Sequence, residues 1–237
     1  MSQLPRVSSA FADLLGPLSR RQPLYEVFDQ GYAAVRAKVA QGGEFELDGL
    51  KLSAPPGVYP PGPGSSTEFF ARNRYNFRWA ESQSMLELGC GSGALSLLAA
   101  RDGLKVQGGD VESVAVSAAN KNARDNGFAE SFVVSDMFSA FEGQRFDWLC
   151  FNLPFYHKAT VQADEVALAD VGGRLARTFF DEAKCHLNPG GQIAFSWSNC
   201  SDSRLLERDD WSFQVVACDF EGFSNYWRAL LVGRPTA

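Results

Sequence analysis

The residues Ser84-Met85-Leu86-Glu87-Leu88-Gly89-Cys90-Gly91-Ser92-Gly93-Ala94-Leu95 restrict the chain more than any other stretch. Met85, Leu86 and Leu88 make an apolar run too short for a helix, while Ala94 to Arg101 are good helix formers without a breaker. The segment is predicted to run strand, glycine turn, helix. Glycine at 89, 91 and 93 permits tight turning and lets backbone N–H groups approach a ligand with no Cβ in the way. A three-glycine turn can also bind nothing, so its neighbours carry the argument.

Leu104 to Asp110 reads as a second strand that ends in an acid about twenty residues past the first glycine, where doubly wound folds place a carboxylate on ribose hydroxyls. Asp110 is therefore a candidate ribose ligand. Ser131 to Ser135 reads as a third strand ending at Asp136-Met137, and Asp147 to Phe151 as a fourth ending at Asn152-Leu153-Pro154-Phe155. Each polar group falls at the C-terminal end of a predicted strand, the edge where open parallel sheets bind ligands.

The motifs LELGCGSG, GDVESVAVSAANKNA, SDMF and FNLPFY, in that order and spacing, resemble class I S-adenosylmethionine-dependent methyltransferases of the amino-methylating branch marked by Asn-Pro-Pro-Tyr/Phe. The likeness covers roughly residues 55 to 200 and is similar in pattern to HemK-type glutamine methyltransferases and to ribosomal RNA guanine methyltransferases. Leu153 departs from the pattern, standing where the family usually has its first proline. The resemblance implies an α/β, Rossmann-like, seven-stranded methyltransferase sheet, S-adenosyl-L-methionine as cofactor and S-adenosyl-L-homocysteine as product. It implies a cofactor set of Glu87, Gly89, Cys90, Gly91, Gly93, Asp110, Val111, Asp136, Met137 and Asn152. The glycines would face the methionine and ribose portions, Asp136 and Met137 the adenine, and Glu87 the amino-acid end or the loop itself.

A methyl on a sulfonium is already activated, so the protein has mainly to align a nucleophile with it. An amide or aromatic amine nitrogen has its lone pair delocalised into a π system. Two acceptors on its N–H groups can orient it and stabilise the positive charge that develops. The catalytic candidates are Asn152 through its side-chain oxygen, Leu153 through its backbone carbonyl, Pro154 as the turn, and Phe155 stacking on a planar group. Leucine keeps the carbonyl but releases the φ restriction of proline. Tyr156 and His157 follow the motif as substrate-binding candidates. In GVYPPGPGSSTE, which stands where HemK-like chains have a Pro-rich loop and Thr-Glu, Tyr59 and Thr67 join them, with Glu68 beside them.

The chain has 237 residues, 45% hydrophobic and 21% charged, enough for one α/β domain with an appendage. The expected division is a helical appendage over 1–42, a β-hairpin, Pro/Gly-rich loop and linker helix over 43–80, and the methyltransferase domain over 81–237. Apolar residues at helical spacing run from 8 to about 41, broken at Pro23 and ended by Gly42-Gly43. This appendage suits either a lid or a packing extension. Alternation around Asp48-Gly49 predicts a hairpin of Glu44–Leu47 with Leu50–Ser53, and a hydroxyl of Ser65-Ser66-Thr67 caps a helix carrying Phe69 and Phe70. Further on, helices are expected over Val111–Asn126 and Arg174–Leu187 and a fifth strand over Gln192–Trp197. An antiparallel edge hairpin of Phe213–Cys218 and Tyr226–Val232 completes the sheet.

No run of eighteen apolar residues and no signal-like N-terminus occurs, which reads as a soluble cytoplasmic chain with no membrane partner. Five scattered cysteines without a Cys-x-x-Cys pair read as reduced thiols, and two histidines give no metal cluster, so no metal is expected. A net charge of −6 disfavours a nucleic-acid backbone, although Arg72, Arg74 and Arg78 would form a local basic patch if they shared a face. The leading reading is N-methylation of a planar amide or amine nitrogen on a protein side chain or small metabolite. The alternatives are a ribosomal RNA or nucleobase N-methyltransferase, and a non-catalytic S-adenosylmethionine-binding subunit, the latter motivated by Leu153.

Overall fold

The computed structural model describes residues 29–158, 165–198, 200–221 and 226–236. Helix α1 (Asp29–Gln41) leads into an antiparallel hairpin of β1 (Gly43–Leu47) and β2 (Leu50–Ala54). Asp48 and Gly49 turn it with φ of 49° and 79°, the paired left-handed conformation that short hairpins favour. Helix α2 (Ser66–Asn73) starts where the sequence places it: Ser65 Oγ accepts the Glu68 N–H at 3.0 Å, and Glu68 reaches back to the Gly64 N–H at 2.6 Å. These bonds satisfy donors that a helix start leaves unpaired.

The main sheet has seven strands: β3 (Ser84–Leu88), β4 (Lys105–Asp110), β5 (Phe132–Val134), β6 (Phe146–Phe151), β9 (Leu187–Ser198), β10 (Trp211–Glu221) and β11 (Tyr226–Pro235). Their order is β10-β11-β9-β6-β3-β4-β5. The five strands from β9 to β5 run parallel, and β11 and β10 close the other edge antiparallel. Helices α3 (Ala94–Arg101), α4 (Ser113–Asp125) and α5 (Arg174–Glu182) complete the expected α/β architecture. Two apolar clusters share the strands of the sheet, one containing Met85, Leu97, Leu98 and Trp148, the other Leu86, Leu88, Phe179 and Phe195. Alternate residues of β3 thus feed both, as a parallel strand covered on two faces requires.

Strand β4 carries Gly108 and Gly109 in its middle. A Cβ on Gly108 would lie 2.6 Å from the Phe132 ring, and one on Gly109 would lie 2.8 Å from the Phe141 ring. The two rings occupy the space that β4 side chains would otherwise fill, which lets the glycines pack inside a strand.

Two expectations change, and one pair of strands is added. The helix expected over Arg174–Leu187 ends at Glu182 and tightens into a 3₁₀ turn over Ala183–His186, because Leu187 already pairs with Phe146. Asn188-Pro189-Gly190-Gly191 is then a bulge inside β9, between the pairs Phe146–Leu187 and Trp148–Gln192. A parallel pair, β7 (Tyr156–Lys158) with β8 (Ala169–Val171), appears in a stretch without a readable pattern. Of the helical appendage, only Asp29–Gln41 can be compared, since residues 1–28 lie outside the described residues.

Arg72, Arg74 and Arg78 do not form a basic patch. Arg74 points inward, 2% exposed, with Nε on Asp102 at 2.7 Å, Nη2 on Asp48 at 2.8 Å, and Nη1 on the Ala71 carbonyl at 2.9 Å. Arg72 turns to Asp219 at 3.4 Å. Arg74 joins the hairpin turn to the end of α3, so its loss uncouples two elements. Arg74→Leu is expected to lower unfolding free energy by about 2 kcal/mol or more, somewhat under the fully buried case because Asp48 and Asp102 remain in reach of water. Urea denaturation checks this, and a change within about 0.5 kcal/mol would mark the network as energetically idle.

Candidate active site

The turn after β3 is held in shape by bonds to the elements around it. Gly89, Gly91 and Gly93 have φ of 57°, 53° and 75°. The Cys90 N–H donates to the Gly109 carbonyl at 3.0 Å, and the Gly91 N–H donates to Asp110 Oδ2 at 2.9 Å. From the other side, Glu87 Oε2 accepts the Ser96 N–H at 2.9 Å and the Ser96 hydroxyl at 2.5 Å. Two carboxylates at strand ends therefore clamp the turn to β4 and to α3. A Cβ on Gly91 would meet nothing nearer than Val58 Cγ1 at 3.9 Å, so this backbone faces open space. Gly93 differs from expectation: it packs with its Cα against Ala119 and Phe132, both 3.0 Å from a hypothetical Cβ, and stands behind the cleft wall rather than on it.

In front of the turn lies a cleft of about 770 Å³, the size of a site for a nucleotide-like molecule. It runs along the C-terminal edge of the parallel strands and collects Glu87, Gly89, Cys90, Gly91, Asp110, Val111, Asp136 and Met137 at one end. Asp110 Oδ1 accepts the Glu112 N–H at 3.0 Å, so both carboxylate oxygens engage backbone amides. Asp136 is open to solvent, 3.6 Å from Arg174 Nη1. Met137 takes φ of 50° with its carbonyl held by the Ser135 hydroxyl at 2.8 Å.

The other end holds Asn152, Leu153, Pro154, Phe155, Tyr156, Tyr59 and Thr67. Asn152 Nδ2 donates to Ser66 Oγ at 3.1 Å and to Thr67 Oγ1 at 3.2 Å, and Oδ1 accepts from Ser196 Oγ at 2.8 Å. The Leu153 side chain is buried in the core, and no hydrogen bond among the described residues engages its carbonyl. Phe155 offers its carbonyl to Ser201 Oγ at 3.2 Å. The Tyr59 hydroxyl accepts the Ser66 N–H at 3.2 Å. His157 pairs by backbone with Asp170, and its side chain lies outside the described residues.

Several neighbours escape a reading of the sequence. Tyr32 on α1 meets the Tyr156 ring edge-on at 4.5 Å and donates to the buried Glu165 at 2.6 Å, with Arg36 beside it at 3.4 Å. Gly31 and Val35 bring α1 to the cleft. Asp170 caps α5 by accepting the Leu175 and Ala176 N–H groups at 2.8 and 3.1 Å. Arg228 lines the cleft, paired with Asp219 at 3.0 Å. Among the described residues, six acidic side chains line the cleft against two guanidiniums, an excess that suits a cationic ligand even with the buried Glu87 protonated. No cluster of metal-ligating side chains, and no helix long and apolar enough to cross a membrane, occurs among them.

The methyltransferase small domain family matches residues 50–217. Over 157 residues the chain is 30% identical to the ribosomal RNA small subunit methyltransferase C of Alcanivorax borkumensis, covering 65% of this chain and 44% of that protein. It is 30% identical over 166 residues to a Methanocaldococcus jannaschii relative named "Putative protein N5-glutamine methyltransferase", covering 67% of this chain and 81% of that one. The chain thus spans less than half the length of the former relative. Among solved structures, a 16S rRNA N2 G1207 methyltransferase of T. thermophilus in complex with AdoMet and guanosine aligns with a TM-score of 0.62 at 22% identity. That alignment covers 82% of this chain and 50% of the other. A ribosomal protein L11 methylase from Lactobacillus delbrueckii subsp. bulgaricus gives 0.55 at 20% identity, covering 75% and 83%. These structures share the fold.

The clamp on the turn is electrostatically unusual. Burial pushes the Glu87 carboxyl up to about 8; the Ser96 bonds pull it down and nearby Asp110 adds to the rise. Burial also raises Asp110, countered by the Glu112 and Gly91 N–H groups. A carboxyl whose pKa rises on folding holds its proton in the folded state. Its contribution is fully present below its ordinary value of 4.5 and is lost as pH climbs through about 8. Glu87→Gln keeps an acceptor for Ser96 and cannot ionise. In the ligand-free protein the melting temperature of Glu87→Gln is expected to fall less than that of the wild type over this window. Parallel pH profiles for the two chains would show that Glu87 ionises freely.

Proposed function

Because this chain belongs to the methyltransferase small domain family, we propose that it transfers the methyl group of S-adenosylmethionine to a planar nitrogen, an amide or an amine conjugated to a π system. The observation that carries the reading is the placement of Asn152-Leu153-Pro154-Phe155 at the C-terminal end of β6, on the same cleft as the glycine turn. The cofactor supplies a methyl group already activated by its sulfonium. The open backbone at Gly91, the cleft volume and the excess of carboxylates fit such a molecule.

In this reading the Gly89-Cys90-Gly91 backbone cradles the methionine end and Glu87 fixes the turn through Ser96. Asp110, with Val111 beside it, holds the ribose, and Asp136 and Met137 flank the adenine. Asn152 Oδ1 and the Leu153 carbonyl accept hydrogen bonds from the acceptor nitrogen, which turns its lone pair toward the methyl and stabilises the charge it gains. Pro154 holds the turn. Phe155 gives a planar group a surface to stack on, and Tyr156 and Tyr59 bound the same end. Residues 43–80 supply Tyr59, Ser66 and Thr67 to the cleft, and 81–237 the sheet and turn.

The acceptor class favoured here is a protein side chain or small metabolite. Supporting it are the net charge of −6 and the dispersal of Arg72 and Arg74 into ion pairs. The relatives named for ribosomal RNA keep a nucleobase acceptor as the second reading.

Calorimetric titration of the wild type with S-adenosylmethionine and S-adenosylhomocysteine is expected to give micromolar binding, on the order of −8 kcal/mol. Asp110→Ala is expected to weaken it by about tenfold or more, the cost of losing a charged hydrogen-bond partner. Normal affinity in that variant would refute the assignment of Asp110. Transfer of labelled methyl to glutamine-containing peptides, metabolites or ribosomal RNA then separates the acceptor classes. Binding that collapses between low and moderate salt would support RNA. Cofactor binding with transfer to none of them would support a silent binding subunit.

A further inference from the structure

We infer that three buried hydroxyls, those of Ser196, Ser66 and Thr67, are positioning groups that hold the Asn152 amide in place at the cleft, with one lone pair of its oxygen left free. The inference rests on the reading of Asn152 above and concerns groups that stand behind it. An asparagine amide has two N–H donors and two lone pairs on its oxygen. Ser66 and Thr67 take both donors, at 3.1 and 3.2 Å, and Ser196 uses one lone pair at 2.8 Å. One lone pair is left. With the amide turned over, the two hydroxyls of α2 would occupy both lone pairs, Ser196 would take one N–H, and the free valence would be a donor. A hydroxyl both donates and accepts, so the three hold the plane of the amide, and in the arrangement observed the valence left over is a lone pair on Oδ1.

Chemistry makes that lone pair matter. A donor facing the sulfonium methyl would be repelled by it and could not accept from an N–H nucleophile, whereas a lone pair serves both. All three hydroxyl residues are nearly inaccessible: Ser196 is 0% exposed and Ser66 and Thr67 are 7%. They come from two separate elements, β9 and the first turn of α2. Buried hydroxyls persist where they are satisfied, and here Asn152 satisfies each. Ser196 does not line the cleft, so its effect on a ligand passes through Asn152.

The test compares two ligands of the same site by calorimetry. Sinefungin carries an amine on carbon where S-adenosylmethionine carries its methyl on sulfur, and S-adenosylhomocysteine carries nothing there. Their affinity ratio reads the acceptor at that point, independently of turnover. The wild type is expected to prefer sinefungin. Asn152→Ala, Ser196→Ala and the isosteric Thr67→Val should each cut that preference by about tenfold, and because the ratio is taken between two ligands of the same variant, a loss of affinity or stability common to both cancels. Thr67→Ser, which keeps the hydroxyl, should restore it. A lowered preference in Asn152→Ala with the wild-type ratio in both Ser196→Ala and Thr67→Val would overturn the positioning role alone. An unchanged ratio in Asn152→Ala would overturn it together with the reading of Asn152. The two hydroxyl variants lie on separate elements, so a folding defect in one leaves the other decisive.

Discussion

Everything at the cleft depends on two acids that hold a turn with little rigidity of its own. Three glycines in left-handed conformations within five residues would leave the backbone many alternatives. Glu87 ties the turn to α3 through Ser96, and Asp110 ties it to β4 through Gly91. Asp110 is the last residue of β4 and Glu87 the last but one of β3, neighbouring parallel strands paired in register as Glu87–Gly108 and Leu88–Gly109. The sheet thus supplies both anchors, and the turn inherits the sheet's precision.

The strands, the turn and the acids were legible in the sequence because their signals are local. Short apolar runs, glycine spacing and a strand-ending acid can each be read within about ten residues. What could not be read is what distance in sequence hides. Tyr32 and Glu165 are 133 residues apart, and Ser196 and Asn152 are 44 apart. A serine inside an apolar strand carries no mark of its partner. Arg72, Arg74 and Arg78 show the opposite failure: adjacency in sequence looked like a shared face, but the short helix and its 3₁₀ extension turn Arg74 into the core. The β9 bulge was obscured because an amphipathic pattern runs past the point where Leu187 pairs with β6.

The cleft has two unlike ends. The glycine end is backbone and carboxylate, fixed by short bonds to buried strands. The end around Asn152 is hydroxyl and aromatic, assembled from α1, α2, β6 and the β7–β8 pair. α1 reaches it through Gly31 and Val35; Val39 is the one buried side chain among its described residues from Gly31 to Gln41, and Tyr32 and Arg36 both reach Glu165. Burying a single valine contributes roughly 2 kcal/mol, so this wall is held more weakly than the sheet it covers.

Strand β4 links the site to the history its sequence can follow. The rings of Phe132 and Phe141 fill the places left by Gly108 and Gly109, the two residues that precede the acid that grips the turn. A side chain gained at 108 has no room until the ring at 132 shrinks, and shrinking that ring first opens a void beside Cys90 and Ala119. Either single step is penalised, and Cys90 Cβ, 3.1 Å from a Cβ at 108, narrows the room for the pair as well. These positions should therefore drift together or not at all, and the acid's placement is protected by residues that never touch a ligand.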